Sequence, residues 1–297
     1  MPPVPAELLK QVKGLALRTR GVVDSLFSGE FRSVFRGQGM EFAEVRAYEQ
    51  GDDFRAIDWN VSARLGAPYV KTFTEERELT LLLVVDQSAS TRVGSPVTKA
   101  ARSVEVAAVL ALAGAREQDR VGALLFSDRV EHIVPPAKGR RHALRLIRDL
   151  LAFTGTRRGT NLVQAVHYAS QVLGHRSVVV ILSDFLAEGW EKALRELAVR
   201  HEVIAITVDD SREETPPAAG WVEMEDAENG RRALVNTRSP AARKRWQAAL
   251  AARRTQRAER LRAAGVEHIP LDVATDYGFV LRRAFARRIR RRGARRR

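Results

Sequence analysis

Carboxylates and hydroxyls in three separate segments of the chain could together hold a hard divalent cation. Asp86, Ser88 and Ser90 stand at alternate positions directly after the apolar run of residues 79–85. A threonine preceded by glycine stands just ahead of a predicted helix, and an aspartate ends a second apolar run. Oxygen ligands with one or two carboxylates suit Mg²⁺, and Mn²⁺ takes similar ligands. The predicted ligands are Asp86, Ser88, Ser90, Thr160 and Asp184.

The elements that carry these residues alternate between buried strands and amphipathic helices from residue 79 onward. Continuous apolar runs are typical of central parallel strands that helices cover on both faces. The alternation predicts an α/β fold, a doubly wound and mostly parallel sheet. In such a sheet the strands before Asp86 and Asp184 would be neighbours at the switch point where ligands bind. The predicted strands are 79–85, 121–126, 130–134, 177–182, 203–208 and 266–271, and the predicted helices are 98–117, 142–153, 161–173, 190–199, 241–264 and 277–288.

The rest of the chain divides into an N-terminal appendage, an insertion and a basic tail. Residues 1–77 are predicted to form the appendage, a helix followed by a charged, β-rich or irregular segment, and residues 78–281 the main domain. Residues 211–239 interrupt the main domain with a β-hairpin around Asn229-Gly230, a pair that favours a tight primed turn. Residues 282–297 form an arginine-rich tail.

Most of the net charge of +14 comes from that tail. Ten arginines and no acidic residue lie in residues 282–297, so the rest of the chain carries only about +4. Arginine runs neutralise phosphates without reading sequence, so nucleic-acid binding through the tail is an alternative function. The simpler interpretation is a solubilising or partner-docking tail. The arginines of the 241–264 helix that could add to a nucleic-acid surface are Arg243, Arg253, Arg254, Arg257 and Arg260.

Composition and motifs argue against several other classes of function. The absence of cysteine excludes disulfides, thiolate metal sites and cysteine nucleophiles. The chain has no Walker-type phosphate loop and no Gly-x-Ser-x-Gly, and Ser88 stands where haloacid dehalogenase-like phosphatases have aspartate. We therefore expect no enzyme, with Mg²⁺-dependent phosphoryl transfer as the lesser alternative. No signal peptide or bilayer-spanning apolar run is visible, so we expect a cytoplasmic protein without a membrane span.

The order Asp-x-Ser-x-Ser, distant threonine and strand-terminal aspartate resembles the metal-ion-dependent adhesion site of von Willebrand factor A-type domains. Each feature alone also occurs in turns and helix caps without a metal, so the resemblance rests on the three together. It implies a von Willebrand factor A-like (Rossmann-like) fold in which the serines and the threonine ligate the ion and the aspartates bind it directly or through water. An acidic oxygen of a partner completes the coordination. The expected partner contacts are Arg158, Asn161 and Phe185.

The N-terminal part resembles the bacterial and archaeal family called domain of unknown function 58 (DUF58). The resemblance rests on residues 31–42 (FRSVFRGQGMEF), 46–53 (RAYEQGDD) and 57–59 (IDW). Members join such a segment to a von Willebrand factor A-type half, and their genes often neighbour those of MoxR-type AAA+ ATPases. The resemblance implies that a MoxR-type ATPase, or its client, supplies the Asp or Glu in chaperone-like assembly or maturation.

Charged residues of the N-terminal segment allow two interpretations. The aspartates form a second cation site, or they pair with the interleaved arginines as an ion-paired clamp on the main domain. Mixed charge clusters are usually structural, which favours the clamp. The aspartates are Asp52, Asp53 and Asp58, and the arginines are Arg46, Arg55 and Arg64.

Overall fold

The computed structural model divides the chain into two compact units. It describes residues 6–27, 40–75, 79–92, 97–153, 155, 158–214, 218–228 and 230–294, so residues 31–39 of the family motif, Asn229 and the last three arginines lie outside the described residues. The smaller unit is Arg36–Leu79, and the larger one joins Met1–Phe35 to Thr80–Arg297. The first helix therefore belongs to the larger unit, whereas we predicted a single appendage over residues 1–77.

The elements of the larger unit alternate as the sequence predicts. Most observed bounds lie within three residues of the predicted ones. The first helix, predicted over residues 6–17, ends about ten residues later, and the last helix ends about six residues later than predicted. Short 3-10 helices lie at Phe54–Ala56 and Ser211–Glu214. The elements in chain order are α1 (Ala6–Phe27), β1 (Met40–Ala47), α2 (Trp59–Leu65), β2 (Tyr69–Glu75), β3 (Thr80–Asp86), α3 (Ala89–Arg92), α4 (Lys99–Arg116), β4 (Arg120–Phe126), β5 (Val130–Ala137), α5 (Arg140–Ala152), α6 (Leu162–Val172), β6 (Val178–Ser183), α7 (Glu191–Arg200), β7 (Glu202–Asp209), β8 (Trp221–Glu225), β9 (Arg232–Asn236), α8 (Pro240–Ala263), β10 (Glu267–Asp272) and α9 (Tyr277–Ala294).

A six-stranded sheet in the order β10-β7-β6-β3-β4-β5 forms the centre of the larger unit. Its strands are parallel except β5, which runs antiparallel to β4. From β3 the chain passes to β4 on one side and later returns to β6 on the other, so the switch point lies between β3 and β6. Val84 pairs with Ile181 there, which confirms that the two strands are neighbours. The predicted doubly wound, mostly parallel α/β fold is confirmed.

Helices cover both faces of this sheet. Leu82 and Val84 of β3 lie in a core that includes residues of α6, α7 and α8. Successive side chains of a strand point to opposite faces, so Leu83 and Val85, which are also fully buried, face the other layer. That layer contains α4, against which α1 and α5 pack. Burial on both faces explains why the sequence of β3 is continuously apolar.

The last helix joins the fold through the beginning of the predicted tail. Leu281 and Phe285 of α9 are buried, and Arg288 is only 4% exposed. The Arg288 guanidinium pairs with Glu267 of β10 and with Glu202 of β7. Residues 282–288 are therefore part of the domain, and the prediction of a separate tail from residue 282 was wrong for them.

The smaller unit pairs β1 with β2 in antiparallel register. Arg46 donates two hydrogen bonds to the Asp52 carboxylate, at 2.8 and 2.7 Å, and lowers the pKa of Asp52. Asp58 accepts hydrogen bonds from two backbone N–H groups at the start of α2. It also pairs with Lys71 at 3.0 Å, and this contact lowers the pKa of Asp58. Asp53 caps the 3-10 helix that follows it. These carboxylates serve ion pairs and caps within their own unit.

The insertion is a hairpin, as predicted, with its strands within one residue of the predicted ones. Glu225 of β8 pairs with Arg232 of β9, which leaves six residues, Asp226–Arg231, in the connection. Within it the Gly230 N–H donates to the Asp226 carbonyl at 2.8 Å. The primed turn predicted from Asn229-Gly230 includes Asn229, which lies outside the described residues, so the type of the turn stays a prediction. Separately, none of the helices in the described part of the chain is both long and apolar enough to cross a membrane.

Candidate functional site

Asp86 ends β3 at the switch point and is fully buried. Its Oδ1 accepts from the Ser88 backbone N–H at 2.9 Å, and its Oδ2 accepts from the Ser183 hydroxyl at 2.5 Å. Burial, and then the negative charge of Asp184, raise the pKa of Asp86 from 3.8 to about 7, although its hydrogen bonds lower it. A carboxylate held out of water beside a second carboxylate calls for a compensating cation.

Ser88 and Ser90 present their hydroxyls together in the loop after β3. The two Oγ atoms lie 3.2 Å apart. The Ser88 carbonyl accepts from the Thr91 hydroxyl at 2.8 Å, which fixes the turn that begins α3. Ser88 is fully buried and Ser90 partly so, which leaves Ser90 as the more accessible of the two. The alternate spacing of these residues therefore brings three oxygen groups, one carboxylate and two hydroxyls, to one loop.

Asp184 follows β6 and brings the second carboxylate to the same edge of the sheet. It is 2% exposed, and its Oδ1 accepts from the Leu186 N–H at 3.2 Å. Its Oδ2 is buried and has no hydrogen-bond partner among the described residues. The next residue, Phe185, has φ of 53°, a left-handed conformation that non-glycine residues seldom adopt. Asp184 thus holds a buried carboxylate oxygen, without a hydrogen bond from the described residues, just before a residue in the left-handed conformation.

Lys99, which the sequence analysis missed, also lies at this edge. Its ammonium is 3.5 Å from Asp184 Oδ2, beyond hydrogen-bond geometry, and 2.7 Å from Glu213 Oε1. Burial lowers the pKa of Lys99, but the charges of Asp184 and Glu213 outweigh it, and the net shift is upward. Lys99 is therefore a fixed cation that balances part of the charge at the site.

Thr160 joins the site through an acidic residue of the inserted hairpin. Its hydroxyl donates to Glu228 Oε2 at 3.0 Å, and the Ser90 N–H donates to Glu228 Oε1 at 2.9 Å. One carboxylate thus connects the loop after β3 with the loop before α6. Gly159, with φ of 90°, sets the backbone immediately before Thr160. Glu228 therefore links two of the three predicted segments, those of Ser90 and Thr160, and no local pattern in the sequence pointed to it.

The three residues expected at the partner have different environments. Arg158 is exposed, and its guanidinium donates to Glu225 Oε1 at 3.1 Å. Asn161 is exposed and caps α6 by accepting from the Gln164 N–H at 3.0 Å. Phe185 is only 3% exposed and packs edge-on against Trp190, with ring centroids 5.6 Å apart. Phe185 was therefore wrongly predicted as a partner contact, because its side chain belongs to the core.

A family model described as "Protein of unknown function DUF58" matches residues 44–256. The chain belongs to the DUF58 family. It is 33% identical over 277 residues to the uncharacterized proteins Rv1480 of Mycobacterium tuberculosis (strain H37Rv) and Mb1516 of Mycobacterium bovis, a match that covers 91% of this chain and 86% of each relative.

Solved structures resemble this DUF58 protein at lower identity. BatB from Bacteroides thetaiotaomicron is 12% identical with a TM-score of 0.47, over 71% of this chain and 99% of that one. An aerotolerance-related membrane protein from Bacteroides fragilis is 14% identical with a TM-score of 0.48, over 72% and 99%. The SpRpn10 VWA domain is 11% identical with a TM-score of 0.34, over 45% and 76%.

The groups of this DUF58 protein fit a hard divalent cation. The side chains predicted as ligands all offer oxygen, and one of these atoms, Asp184 Oδ2, is buried without a hydrogen bond among the described residues, although the Lys99 ammonium lies 3.5 Å away. The described part of the chain contains no group of three or more His, Cys, Asp or Glu side chains placed to hold a metal. The hydroxyls of Ser88, Ser90 and Thr160 are the other oxygen groups that could act as ligands, which is chemistry that Mg²⁺ accepts.

An arginine of α8 fixes the loop that carries Asp184. The Arg257 guanidinium is buried, donates to the Asp184 carbonyl at 2.5 Å and forms two bonds, at 3.0 and 2.6 Å, to the Asp209 carboxylate. Neighbouring arginines of the helix also have intramolecular partners, since Arg254 pairs with Glu214 and Arg260 with Glu191. Burial thus removes Arg257 from the set offered for nucleic acid, whereas the side chains of Arg254 and Arg260 are 34% and 35% exposed.

Replacing Gly155 with alanine is expected to disturb the loop that carries Ser88. An added Cβ would lie 2.3 Å from the Gln87 carbonyl oxygen, closer than non-bonded atoms can approach. Gln87 cannot easily withdraw, because its N–H donates to the Phe126 carbonyl at 2.8 Å. We expect the free energy of unfolding in urea to fall by about 1–3 kcal/mol. Gly174→Ala, where nothing lies within 4 Å, is the control, and an equal loss in both variants would contradict the steric argument.

Proposed function

We propose that this DUF58 protein binds Mg²⁺ or Mn²⁺ through Asp86, Ser88, Ser90, Thr160 and Asp184 and uses the ion to recognise an acidic side chain of a protein partner. The observation that carries the proposal is the pair of buried aspartates after neighbouring strands. Asp86 and Asp184 repel each other, and Asp184 Oδ2 has no hydrogen-bond partner among the described residues. Lys99 compensates only part of the negative charge of Asp86 and Asp184, because its ammonium also pairs with Glu213.

The contacts of Glu228 support the choice of an acidic ligand. Its carboxylate fits between the Ser90 N–H and the Thr160 hydroxyl, with both distances in the range of good hydrogen bonds. A carboxylate is therefore sterically and chemically acceptable beside two of the proposed ligands. The same donors would receive the Asp or Glu of a partner.

The proposed function is recognition and not turnover. The ion, when bound, supplies a positive charge with a coordination position that an acidic oxygen can fill. The protein residues orient and balance this site: Ser183 and the Ser88 N–H hold the Asp86 carboxylate, and Lys99 offsets the charge of Asp184. A partner that brings a carboxylate would add an interaction that depends on the ion.

We further propose that the partner is a MoxR-type AAA+ ATPase or its client, and that the pair acts in chaperone-like assembly or maturation. The support is the family membership, because genes of DUF58 relatives often neighbour those of MoxR-type ATPases. The site itself indicates only the chemical class of the ligand, an exposed Asp or Glu of the partner. Because the identity of the partner rests on the family alone, the experiment uses a MoxR-type ATPase as the probe.

Capture of a purified MoxR-type ATPase on the immobilised protein is expected to require Mg²⁺ and to fail in EDTA. Ser88→Ala should weaken capture at least tenfold, because the hydroxyl beside Ser90 is removed while the backbone bond to Asp86 is kept. Binding is measured by surface plasmon resonance with Mg²⁺, with Mn²⁺ and with EDTA.

The matched control is Ser103→Ala in α4. Ser103 is 1% exposed, and its hydroxyl has no hydrogen-bond partner in the described part of the chain, so this change also removes a buried hydroxyl. The control should bind the ATPase as the parent does. Capture that persists in EDTA, or equally in Ser88→Ala, would show that association does not use the ion.

A further inference from the structure

The tip of the inserted hairpin is shaped to present Glu228. The side chain of Asp226 accepts from the Glu228 N–H at 2.9 Å, and its carbonyl accepts from the Gly230 N–H at 2.8 Å. The Asp226 N–H in turn donates to the Arg231 carbonyl at 2.8 Å. These bonds orient the backbone of Glu228 relative to Asp226.

The Glu228 carboxylate accepts hydrogen bonds from two residues of the proposed metal site. Oε1 accepts from the Ser90 N–H and Oε2 from the Thr160 hydroxyl, across 138 and 68 residues of chain. Each oxygen thus serves a different loop, one the loop after β3 and the other the loop before α6. This is the position in which the proposed function places the acidic side chain of a partner.

A second contact holds the hairpin against the same loop. Arg158, two residues before Thr160, pairs with Glu225 at the end of β8. Gly230 approaches so closely that an added Cβ would lie 2.9 Å from the Arg158 guanidinium. Arg158 is 63% exposed on its side chain, so this pair contributes little by itself. The hairpin therefore touches the site at its tip and at the start of its connection.

We propose that Glu228 is an internal acidic ligand, and that the hairpin closes the metal site against partners until it is displaced. This inference rests on the proposed function, because it assigns to the chain's own carboxylate the position of a partner's Asp or Glu. The internal carboxylate is present at a high effective concentration, so a partner must compete with it. The hairpin then lowers the affinity of the site for a partner's carboxylate. The site has two states, one closed by Glu228 and one open to a partner.

The first test measures closure without relying on the metal. Because the chain contains no cysteine, His167→Cys on α6 and Ala233→Cys on β9, both at exposed positions, accept a pair of spin labels. The parent should give a single narrow distance by pulsed electron paramagnetic resonance. Glu228→Ala should broaden and lengthen the distribution, because the bonds to Ser90 and Thr160 are lost. An unchanged distribution would overturn the inference.

The second test measures competition at the ion. Mn²⁺ binding is followed by water-proton relaxation, and sodium acetate serves as the carboxylate probe. If the parent site is open about one-tenth of the time, Glu228→Ala should bind acetate about tenfold more tightly in the presence of Mn²⁺. Glu223→Ala removes an equal charge from the same hairpin, where Glu223 pairs with Arg232 of the neighbouring strand, and should behave as the parent.

The outcomes separate the two proposals. Retained Mn²⁺ binding with equal acetate affinity in the parent and Glu228→Ala would overturn the internal ligand and leave the proposed function standing. Absence of Mn²⁺ binding in the parent and in Glu228→Ala would overturn the proposed function and the internal ligand with it. A tenfold gain in Glu228→Ala but not in Glu223→Ala would support both.

Discussion

Replacing Asp86 with asparagine is expected to abolish binding of Mg²⁺ or Mn²⁺ and, without the ion, to stabilise the fold. Asparagine keeps the size of the side chain and an Oδ1 acceptor for the Ser88 N–H, and the Ser183 hydroxyl can rotate to accept from the new amide. It removes a fully buried negative charge that lies beside Asp184. We expect the ion affinity to fall more than about 100-fold, beyond the loss seen for supporting residues of metal sites.

The size and sign of the stability change follow from the pKa of Asp86. The folded protein raises this pKa from 3.8 to about 7, so above pH 7 the ionised carboxyl destabilises the fold. A tenfold change in the acid dissociation constant corresponds to about 1.4 kcal/mol, and the altered hydrogen bonds offset part of the gain. Asp86→Asn should therefore raise the free energy of unfolding by about 2–4 kcal/mol at pH 8, and the gain should vanish as the pH falls towards 4.

Urea unfolding in EDTA across this pH range, with calorimetric titration of Mn²⁺, measures both effects. Asp86→Ala separates charge from packing: it also loses the ion, but it leaves a cavity and an unpaired Ser88 N–H, so its stability should gain less. An Asp86→Asn variant that is less stable than the parent at pH 8 would mean that the ionised carboxylate stabilises the fold as a structural cap, and an unchanged Mn²⁺ affinity would mean that Asp86 is not a ligand of the ion.

The sheet was predictable because strands that are buried on both faces have a continuous apolar sequence. Residues 81–85 and 178–182 are continuous apolar runs, and polar residues of the site follow each of them. Right-handed crossovers then place the two strands side by side, as the pairing of Val84 with Ile181 confirms. Local pattern and general topology together were enough for the fold and for the position of Asp86 and Asp184.

Glu228 and Lys99 could not be predicted, because their partners are distant in sequence. Glu228 bonds to Ser90 over 138 residues, and Lys99 meets Asp184 only when α4 and β6 have taken their places. Nothing in the local pattern separates Glu228 from the other acids of the hairpin.

Two of the arginines offered for the alternative nucleic-acid surface are not at the surface. Arg257 and Arg288 are buried and pair with carboxylates of the sheet strands. A guanidinium has five donors in a fixed plane and can serve several acceptors at once, which suits it to buried pairs. Whether an arginine faces solvent or a carboxylate depends on tertiary contacts, which the composition does not show.

Replacing Arg257 with methionine is expected to lower the free energy of unfolding by about 3–5 kcal/mol, the usual loss when one partner of a buried ion pair is removed. Methionine keeps much of the aliphatic stem but leaves the Asp209 carboxylate without its two strongest bonds and the Asp184 carbonyl without its donor. The loop after β6 should loosen, so Mn²⁺ affinity should also fall. Urea unfolding and calorimetry measure the two losses.

Two further variants show whether the loss comes from the stranded charge. Arg253→Met changes an exposed arginine of the same helix and should alter the unfolding free energy by less than about 0.5 kcal/mol. Adding Asp209→Asn to Arg257→Met should restore a substantial part of the stability, because the uncompensated carboxylate is gone. It should not restore Mn²⁺ affinity, since the Asp184 carbonyl still lacks its donor. Full recovery of both would mean that Arg257 only neutralises Asp209 and does not position the loop of the metal site.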